Sequence, residues 1–334
     1  MILITGATGL VGSYLALQLI ENGEAIRGLY RNENSLTKVK SLFKLFEKEH
    51  LFETIDWYKG DITNIVSLEN AFENISTVYH CAGLISFDPR EEENLRKTNI
   101  EGTANVINFA LAKKVKKVCH VSSIACLGEA DSESTLVTEQ SIWNPEQQHS
   151  DYALSKFGAE MEVFRGQQEG LDVVILNPGV ILGAGYWEQG SGKLFSEVKK
   201  GMRFYTKGIT GFVSVNDVVK LLVLAMKNSN SGERYIAISE NKSYQEIQNI
   251  IANALSVEKP SKYATVWLTE IAWRLDWIRS LFVKTRKFSK FTAKSCHEIH
   301  LYSNDKAIKS FDYEFQSIND SISEIVQYQN RLLY

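Results

Sequence analysis

The stretch MILITGATGLVGSYL, residues 1–15, decides the fold. A short apolar run, Ile2 to Ile4, is broken by Gly6, Gly9 and Gly12, and an apolar helical pattern follows through Ile20. A strand that passes through a glycine turn into a helix makes a cradle for a pyrophosphate. The glycines let the backbone turn tightly and approach the ligand, and the helix N-terminus offers unpaired N–H groups to the phosphates. Glycine spacing alone says little; its position between a strand-like and a helix-like segment says much more.

Two later stretches add chemistry to that cradle: VSSIACLG at 121–128 and YALSK at 152–156. Tyr152 and Lys156 are four residues apart on a helical pattern and share a face. A lysine ammonium near a phenol favours the phenolate and brings a group of reference pKa about 10 toward working pH. A serine hydroxyl from Ser122 or Ser123 would hold a carbonyl or alcohol oxygen beside the phenol. The set suits proton transfer coupled to hydride transfer, with a bound nucleotide cofactor carrying the hydride.

Strand-like and helical runs alternate outward from the opening. Ile26 to Tyr30, Glu53 to Tyr58, Thr77 to Cys81, Val118 to Ser122 and Val173 to Leu176 read as strands. Leu36 to Glu49, Ser67 to Asn74, Glu91 to Lys113 and Tyr152 to Glu169 have apolar residues at spacings of three and four and read as helices. This predicts an α/β fold, a Rossmann-type doubly wound parallel sheet with a smaller, mostly helical C-terminal lobe. Residues 183–212 hold seven glycines and read as a looped segment, with 183–211 the candidate for ordering by substrate. Val215 to Met226 reads as a helix and Arg234 to Ser239 as a late strand. The expected division is a nucleotide domain of 1–180 with 212–240, and a substrate lobe of 181–211 with 241–334.

A formal charge of -3, from 37 basic and 40 acidic side chains, gives no global attraction to nucleic acid. Cys81, Cys119, Cys126 and Cys296 lie in or beside apolar stretches without a metal-ligand repeat and read as reduced thiols. The first strand begins at residue 2, leaving no room for a signal peptide, and no uncharged apolar run is long enough to span a membrane. The expected location is cytoplasmic.

With these motifs in place, the sequence resembles the extended short-chain dehydrogenase/reductase family, also called the NAD-dependent epimerase/dehydratase family. The resemblance is carried by TGATGLVG at 5–12, Gly60-Asp61-Ile62, HCAG at 80–83, Asn99 in TNIEGTANV, VSS at 121–123, YALSK, and Asn177-Pro178-Gly179. It implies that Ser123, five residues before Gly128, is the catalytic serine, and that Tyr152 is the general acid or base. Lys156 would lower the phenol's pKa and hold the nicotinamide ribose, and Asn99 would support the proton relay. Thr5, Gly6, Thr8, Gly9, Leu10, Val11 and Gly12 would hold the cofactor's phosphates. Asp61 and Ile62 would contact the adenine, while Cys81, Ala82, Gly83, Pro178, Gly179 and Val180 would line the cofactor.

The second strand ends Gly28-Leu29-Tyr30-Arg31-Asn32, with Arg31 where an NAD site offers an acid to the ribose. An arginine fork matches a 2′-phosphate, so NADP(H) is favoured and NAD(H) stays open. The stretch Val174 to Gly183 resembles the dihydroflavonol-reductase-like and aldehyde-reductase-like side of the family rather than its sugar epimerases and dehydratases. The main expectation is reduction of a fairly apolar ketone or aldehyde, with Phe87, Trp187, Phe195 and Phe204 as candidate pocket walls. A nucleotide-sugar epimerase or dehydratase, and a non-catalytic NADP-binding regulator, are the alternatives.

Other features read as structural. Cys296-His297-Glu298-Ile299-His300 lacks the spacing of a two-histidine helical metal site, and no metal is implied. His80 reads as a buried strand end, and His149 as a helix cap or a substrate contact. Lys113, Lys114, Lys116 and Lys117 read as a solvated turn. A second basic cluster, Lys284, Arg286, Lys287, Lys290 and Lys294, is interleaved with Phe288 and Phe291. The stretch 264–282, with Trp267, Trp273 and Trp277, reads as a lid or lobe core, a contact in a homodimer, or a membrane-facing surface. Its charged residues exclude a simple spanning helix.

Overall fold

Seven parallel strands form the central layer of the computed structural model, which describes residues 1–130, 135–283, 286 and 288–331 and side chains through Gln329. They are β1 (Ile2–Thr5), β2 (Ile26–Tyr30), β3 (Asp56–Lys59), β4 (Thr77–His80), β5 (Lys117–Val121), β6 (Asp172–Pro178) and β7 (Glu233–Ala237). Their spatial order is β7-β6-β5-β4-β1-β2-β3, and every pairing is parallel. The order reverses between β1 and β4, which opens a crevice at the carboxyl ends of the strands. Sequence reading and structure agree on this class.

Alternation along the strands builds two cores. Leu3, Val118, Val173 and Ile175 face one apolar cluster, while Ile4, Cys119, Val174 and Leu176 face the other. Neighbouring residues point to opposite faces of a pleated strand, so continuously apolar strands are needed where helices cover both sides. Helix α1 (Leu10–Glu21) follows β1 directly, α2 (Asp151–Gln168) packs before β6, and α3 (Val215–Asn228) returns to the sheet before β7.

Some expected elements are redrawn. The helix expected over Glu91 to Lys113 is three pieces: Glu92–Leu95, a π-helical stretch Arg96–Glu101, and Gly102–Ala112. The expected loop at 183–212 contains a helix, Gly192–Lys199, and most of the strand Ile209–Ser214, which pairs with Val180–Leu182 and with Glu240–Ser243. Its glycines serve close packing as well as turns. A Cβ on Gly192 would stand 2.1 Å from the Tyr186 carbonyl oxygen, and one on Gly211 would stand 2.5 Å from the Ile238 side chain. Phe195 is fully buried with Trp187 packed against it, so both are core rather than pocket walls. Lys117 is no solvated turn residue: its Nζ donates to the Ser229 carbonyl at 2.6 Å and lies 3.5 Å from Asp172. Lys284 and Lys287 lie outside the described residues. Among the described residues no helix is long and apolar enough to cross a membrane.

Candidate active site

The glycine turn is held from both sides. Gly6 has φ +66°, and a Cβ there would sit 2.6 Å from the Ala82 backbone nitrogen; one on Gly12 would sit 2.2 Å from the Gly6 carbonyl oxygen. Only glycine allows these approaches, which press the turn onto the end of β4 and the helix onto the turn. Gly9 N–H donates to the Gly6 carbonyl at 3.0 Å, and α1 starts at Leu10 with no side-chain cap. Its first N–H groups are therefore available to an anion. Segment 183–186 braces the other side: Tyr186 Oη donates to the Thr8 carbonyl at 3.0 Å, and Tyr14 Oη donates to the Ala184 carbonyl at 3.2 Å. This much of the candidate substrate-ordered segment is built into the cofactor side of the fold. The residues present fit a dinucleotide pyrophosphate.

The reacting groups gather where β5 ends. Ser150 caps α2 by accepting from Ala153 N–H at 3.0 Å, which sets Tyr152 in the first turn and Lys156 one turn later. Both side chains are buried, Tyr152 at 9% and Lys156 at 5% exposure. Burial pushes the Tyr152 phenol up to about 12, and its hydrogen bond with the Ser123 side chain opposes that rise. Lys156 Nζ donates to the Val121 carbonyl at 2.8 Å, and burial lowers its own pKa. The expected depression of the phenol by the neighbouring ammonium is thus not what this geometry yields; desolvation governs, and the phenol is protonated at neutral pH.

Asn99 lies inside the π-helical stretch and is 1% exposed. Its Nδ2 donates to the Leu84 carbonyl at 3.0 Å and to Ser155 Oγ at 2.8 Å, while Oδ1 accepts from Leu84 N–H at 2.7 Å. A Cβ on Gly83 would be 3.5 Å from Asn99 Oδ1 and 3.8 Å from Lys156 Nζ, so Gly83, Asn99 and Lys156 converge. A buried chain joins them to β1. His80 Nδ1 lies 2.7 Å from Thr5 Oγ1, His80 Nε2 lies 2.9 Å from Thr103 Oγ1, and Thr103 Oγ1 donates to the Asn99 carbonyl at 2.5 Å. Since the Thr103 proton goes to Asn99, Nε2 of His80 is the donor and Nδ1 accepts from Thr5. His80 is structural, and burial drops its pKa to about 3.

Sequence reading missed Glu160. It stands four residues beyond Lys156 and eight beyond Tyr152, and is fully buried. Its Oε1 accepts from Asn177 Nδ2 at 2.6 Å and from the Cys126 thiol at 3.0 Å, while Oε2 lies 3.4 Å from Arg234. Asn177 Nδ2 and the Cys126 thiol also donate to the Ser123 carbonyl, at 3.1 and 3.0 Å. The carboxylate therefore ties the serine turn to the helix that carries the tyrosine and lysine. Extending the i, i+4 ladder by one turn would have singled it out.

At the far edge of the crevice Arg31 and Asp61 come together, with guanidinium and carboxylate 3.8 Å apart and Arg31 largely exposed. Asp61 Oδ1 accepts from the Thr63 N–H and hydroxyl, both at 2.9 Å, and Ile62 packs over Gly102. Gly179 is pressed against strand Ile209–Ser214, a Cβ there standing 2.4 Å from the Gly211 oxygen. Val180 and Pro178 flank it at the end of β6.

Two hollows open near α2. One of about 280 Å³ is lined by Phe87, His149, Asp151, Lys290, Phe291 and Lys294, and the Phe87 ring meets Tyr152 edge-on at 5.7 Å. A larger one, about 450 Å³, lies on the flank of Cys126, Trp143, Phe157 and Arg234. Its charged groups are bonded within the protein, Arg234 to the Glu139 carbonyl and Lys306 to Glu233. The smaller hollow reaches the phenol through Phe87, whose ring packs on Tyr152, and is the candidate substrate site. His149 lines it while stacking on Trp143 at 3.7 Å and bonding the Asn144 carbonyl through Nε2. Phe204 is an exposed residue of a two-residue strand and lines neither hollow.

The sequence profile of the NAD dependent epimerase/dehydratase family matches residues 2–238. The chain belongs to that family. It is 28% identical over 247 residues to sterol demethylase protein B of Methylococcus capsulatus, covering 73% of this chain and 71% of that one. It is 25% identical over 270 residues to dihydroflavonol 4-reductase of Callistephus chinensis, covering 74% and 71%. The UDP-glucose 4-epimerase of Thermotoga maritima, solved with UDP-glucose, superposes with a TM-score of 0.78 at 20% identity over 100% of this chain and 99% of that one. The protein is therefore an NAD(P)-dependent oxidoreductase of this family, whose members include reductases, epimerases and dehydratases.

Proposed function

We propose that the protein reduces a ketone or aldehyde with NADPH, using Tyr152 as the proton donor. The observation that carries this reading is the Tyr152 phenol, buried at the end of β5 one helical turn from the buried Lys156, with the Ser123 side chain acting on it and burial holding its pKa up. Such a group holds its proton at neutral pH and releases it to an oxygen only as negative charge develops there. Bound NADPH supplies the hydride. The Ser123 hydroxyl holds the carbonyl oxygen beside the phenol. Lys156, fixed on the Val121 carbonyl, places a positive charge near Gly83, where the nicotinamide ribose would lie, and Asn99 fixes that backbone. Thr5 to Gly12 hold the pyrophosphate, Cys81 to Gly83 and Pro178 to Val180 line the dinucleotide, and Asp61 and Ile62 border the adenine. Arg31, exposed and in reach of Asp61, takes the 2′-phosphate.

The test is steady-state oxidation of NADPH and NADH with a panel of apolar ketones and aldehydes. Tyr152→Phe is expected to lower kcat by about 10²- to 10⁴-fold with cofactor binding intact. Arg31→Ala is expected to weaken NADPH and leave NADH unchanged. Net cofactor oxidation separates reduction from epimerisation, which returns its hydride within each turnover. Equal affinity for both cofactors, insensitive to Arg31, would remove the 2′-phosphate assignment. Nucleotide-sugar isomerisation without net oxidation would remove the reductase reading.

A further inference from the structure

We propose that the surface formed by helix α4 (Val266–Ser280) and the turn after it docks the protein on an anionic lipid membrane. This helix half-buries Leu268, Ile271 and Trp273 and leaves much of its remaining apolar surface outward. Its one buried side chain is Thr269, whose hydroxyl meets His297 Nε2 at 3.0 Å, and Asp276 accepts from Phe288 N–H at 2.9 Å on the same inner side. Outward go Trp267, Leu275, Trp277 and Ile278, continued by Leu281 and Phe282; Trp267 is 73% and Phe282 86% exposed. Large apolar side chains exposed together, with the Glu270–Arg274 pair among them, mark an interaction surface, and exposed tryptophan, leucine and phenylalanine on one helical side suit the headgroup boundary.

Charge selects the occupant. From Trp277 to His297 the sequence holds Arg279, Lys284, Arg286, Lys287, Lys290 and Lys294, and no Asp or Glu. All four that the structure describes meet groups within the protein: Arg279 pairs with Asp276, Lys294 pairs with Glu298, Lys290 lies beside Glu270, and Arg286 lies over the Trp273 ring. The segment still carries a strong positive excess in a chain whose formal charge is -3. An isologous dimer would set this basic segment against its own copy, which like charges oppose. An anionic bilayer instead offers apolar depth to the aromatic residues and negative headgroups to the cations. The short helix α5 (Lys290–Ser295) supplies Lys290, Phe291 and Lys294 to the hollow beside Tyr152. The docking surface thus adjoins the entrance to the candidate substrate site.

The experiment is co-sedimentation of the full chain with vesicles of phosphatidylcholine alone and of phosphatidylcholine mixed with phosphatidylglycerol, at low and high salt. Partition onto the mixed vesicles is expected, weaker on phosphatidylcholine alone and weaker at high salt. Trp267→Asp with Phe282→Asp is expected to cut it by about ten-fold or more, because each large side chain loses its apolar burial and adds repulsion. Circular dichroism and NADPH binding of that variant report whether the fold and cofactor site persist. Since neither residue belongs to the cofactor site, failure of the reductase reading leaves this result standing. No partition in the wild type overturns the proposal, and so does partition that the double variant leaves unchanged. A concentration-dependent dimer that Phe282→Asp splits, without vesicle binding, reassigns the surface to a second copy.

Discussion

Helices α2 and α4 are 18 and 15 residues long, and each departs from the rule that apolar side chains face in and charges face out. They do so in opposite senses. Helix α2 buries Tyr152, Lys156 and Glu160 along one ladder. Helix α4 fully buries only a threonine, half-buries Leu268, Ile271 and Trp273, and exposes Trp267, Leu275, Trp277 and Ile278. Buried charge is expensive unless it is bonded on every side. In α2 each of these three buried groups has a partner: Ser123 for the phenol, the Val121 carbonyl for the ammonium, and Asn177, Cys126 and Arg234 for the carboxylate. Helix α4 meets its exposed apolar surface with no such internal answer among the described residues. A buried polar ladder that is satisfied within the chain points to chemistry at that place; an unsatisfied apolar face points outside the molecule.

The comparison breaks most visibly at Glu160. Glu160→Ala removes the acceptor shared by Asn177 and Cys126 and leaves the Arg234 guanidinium, which is also bonded to the Glu139 carbonyl, without its carboxylate. Loss of one partner from a buried pair costs about 3–5 kcal/mol. Urea unfolding should show that loss, and Glu160→Gln, which keeps an accepting oxygen, should lose less. If alanine and glutamine variants both unfold like the wild type, the ladder is not what joins the serine turn to α2.

Acid tests the buried polar interior more gently. His80 has its pKa lowered to about 3 by burial, and His120, paired with it across β4 and β5, is also held well below its ordinary value of 6.5. Below 6.5 the unfolded chain binds protons that the folded chain refuses, so stability present above that pH is lost as pH falls toward 3. Each histidine contributes at most about 1.4 kcal/mol per pH unit in that window. His120 is the more replaceable of the two, since neither ring nitrogen has a side-chain hydrogen-bond partner among the described residues. His120→Leu should flatten the acid slope of the melting temperature without lowering stability at pH 8. An unchanged slope would mean that the imidazole titrates freely in the folded state.

The same contrast explains how far the sequence could be read. Glycine spacing, apolar strands and the Tyr152–Lys156 pair are local, so the sheet and the cluster at its carboxyl edge were legible. What failed was set by contacts between distant segments. The π-helical turn at Asn99 is fixed by bonds to Leu84 and Ser155, which no periodicity in 91–113 records. The glycines of 183–212 suggested freedom, whereas Gly192 and Gly211 are there because neighbouring backbone and side chains leave no room for a Cβ. The phenol's pKa was expected to fall through a charged neighbour, and burial, invisible in a one-dimensional spacing, raises it instead. In 264–282 the tryptophans were visible, but the sides they face were not: Trp267 and Trp277 face out with the Glu270–Arg274 pair, while Trp273 and Asp276 go inward.

The smallest expected effect sharpens the other half of the comparison. Leu281→Ser with Phe282→Ser removes two large apolar side chains, a change that costs several kcal/mol in a core. Here Leu281 is 65% and Phe282 86% exposed, so folding gains little from either. Substitutions at such surface positions stay within about 0.5 kcal/mol per site. Thermal melting of this variant in solution should match the wild type. A loss like that of a core deletion would show that the row packs against the protein itself, and α4 would then be an ordinary lobe helix rather than a surface kept for a partner.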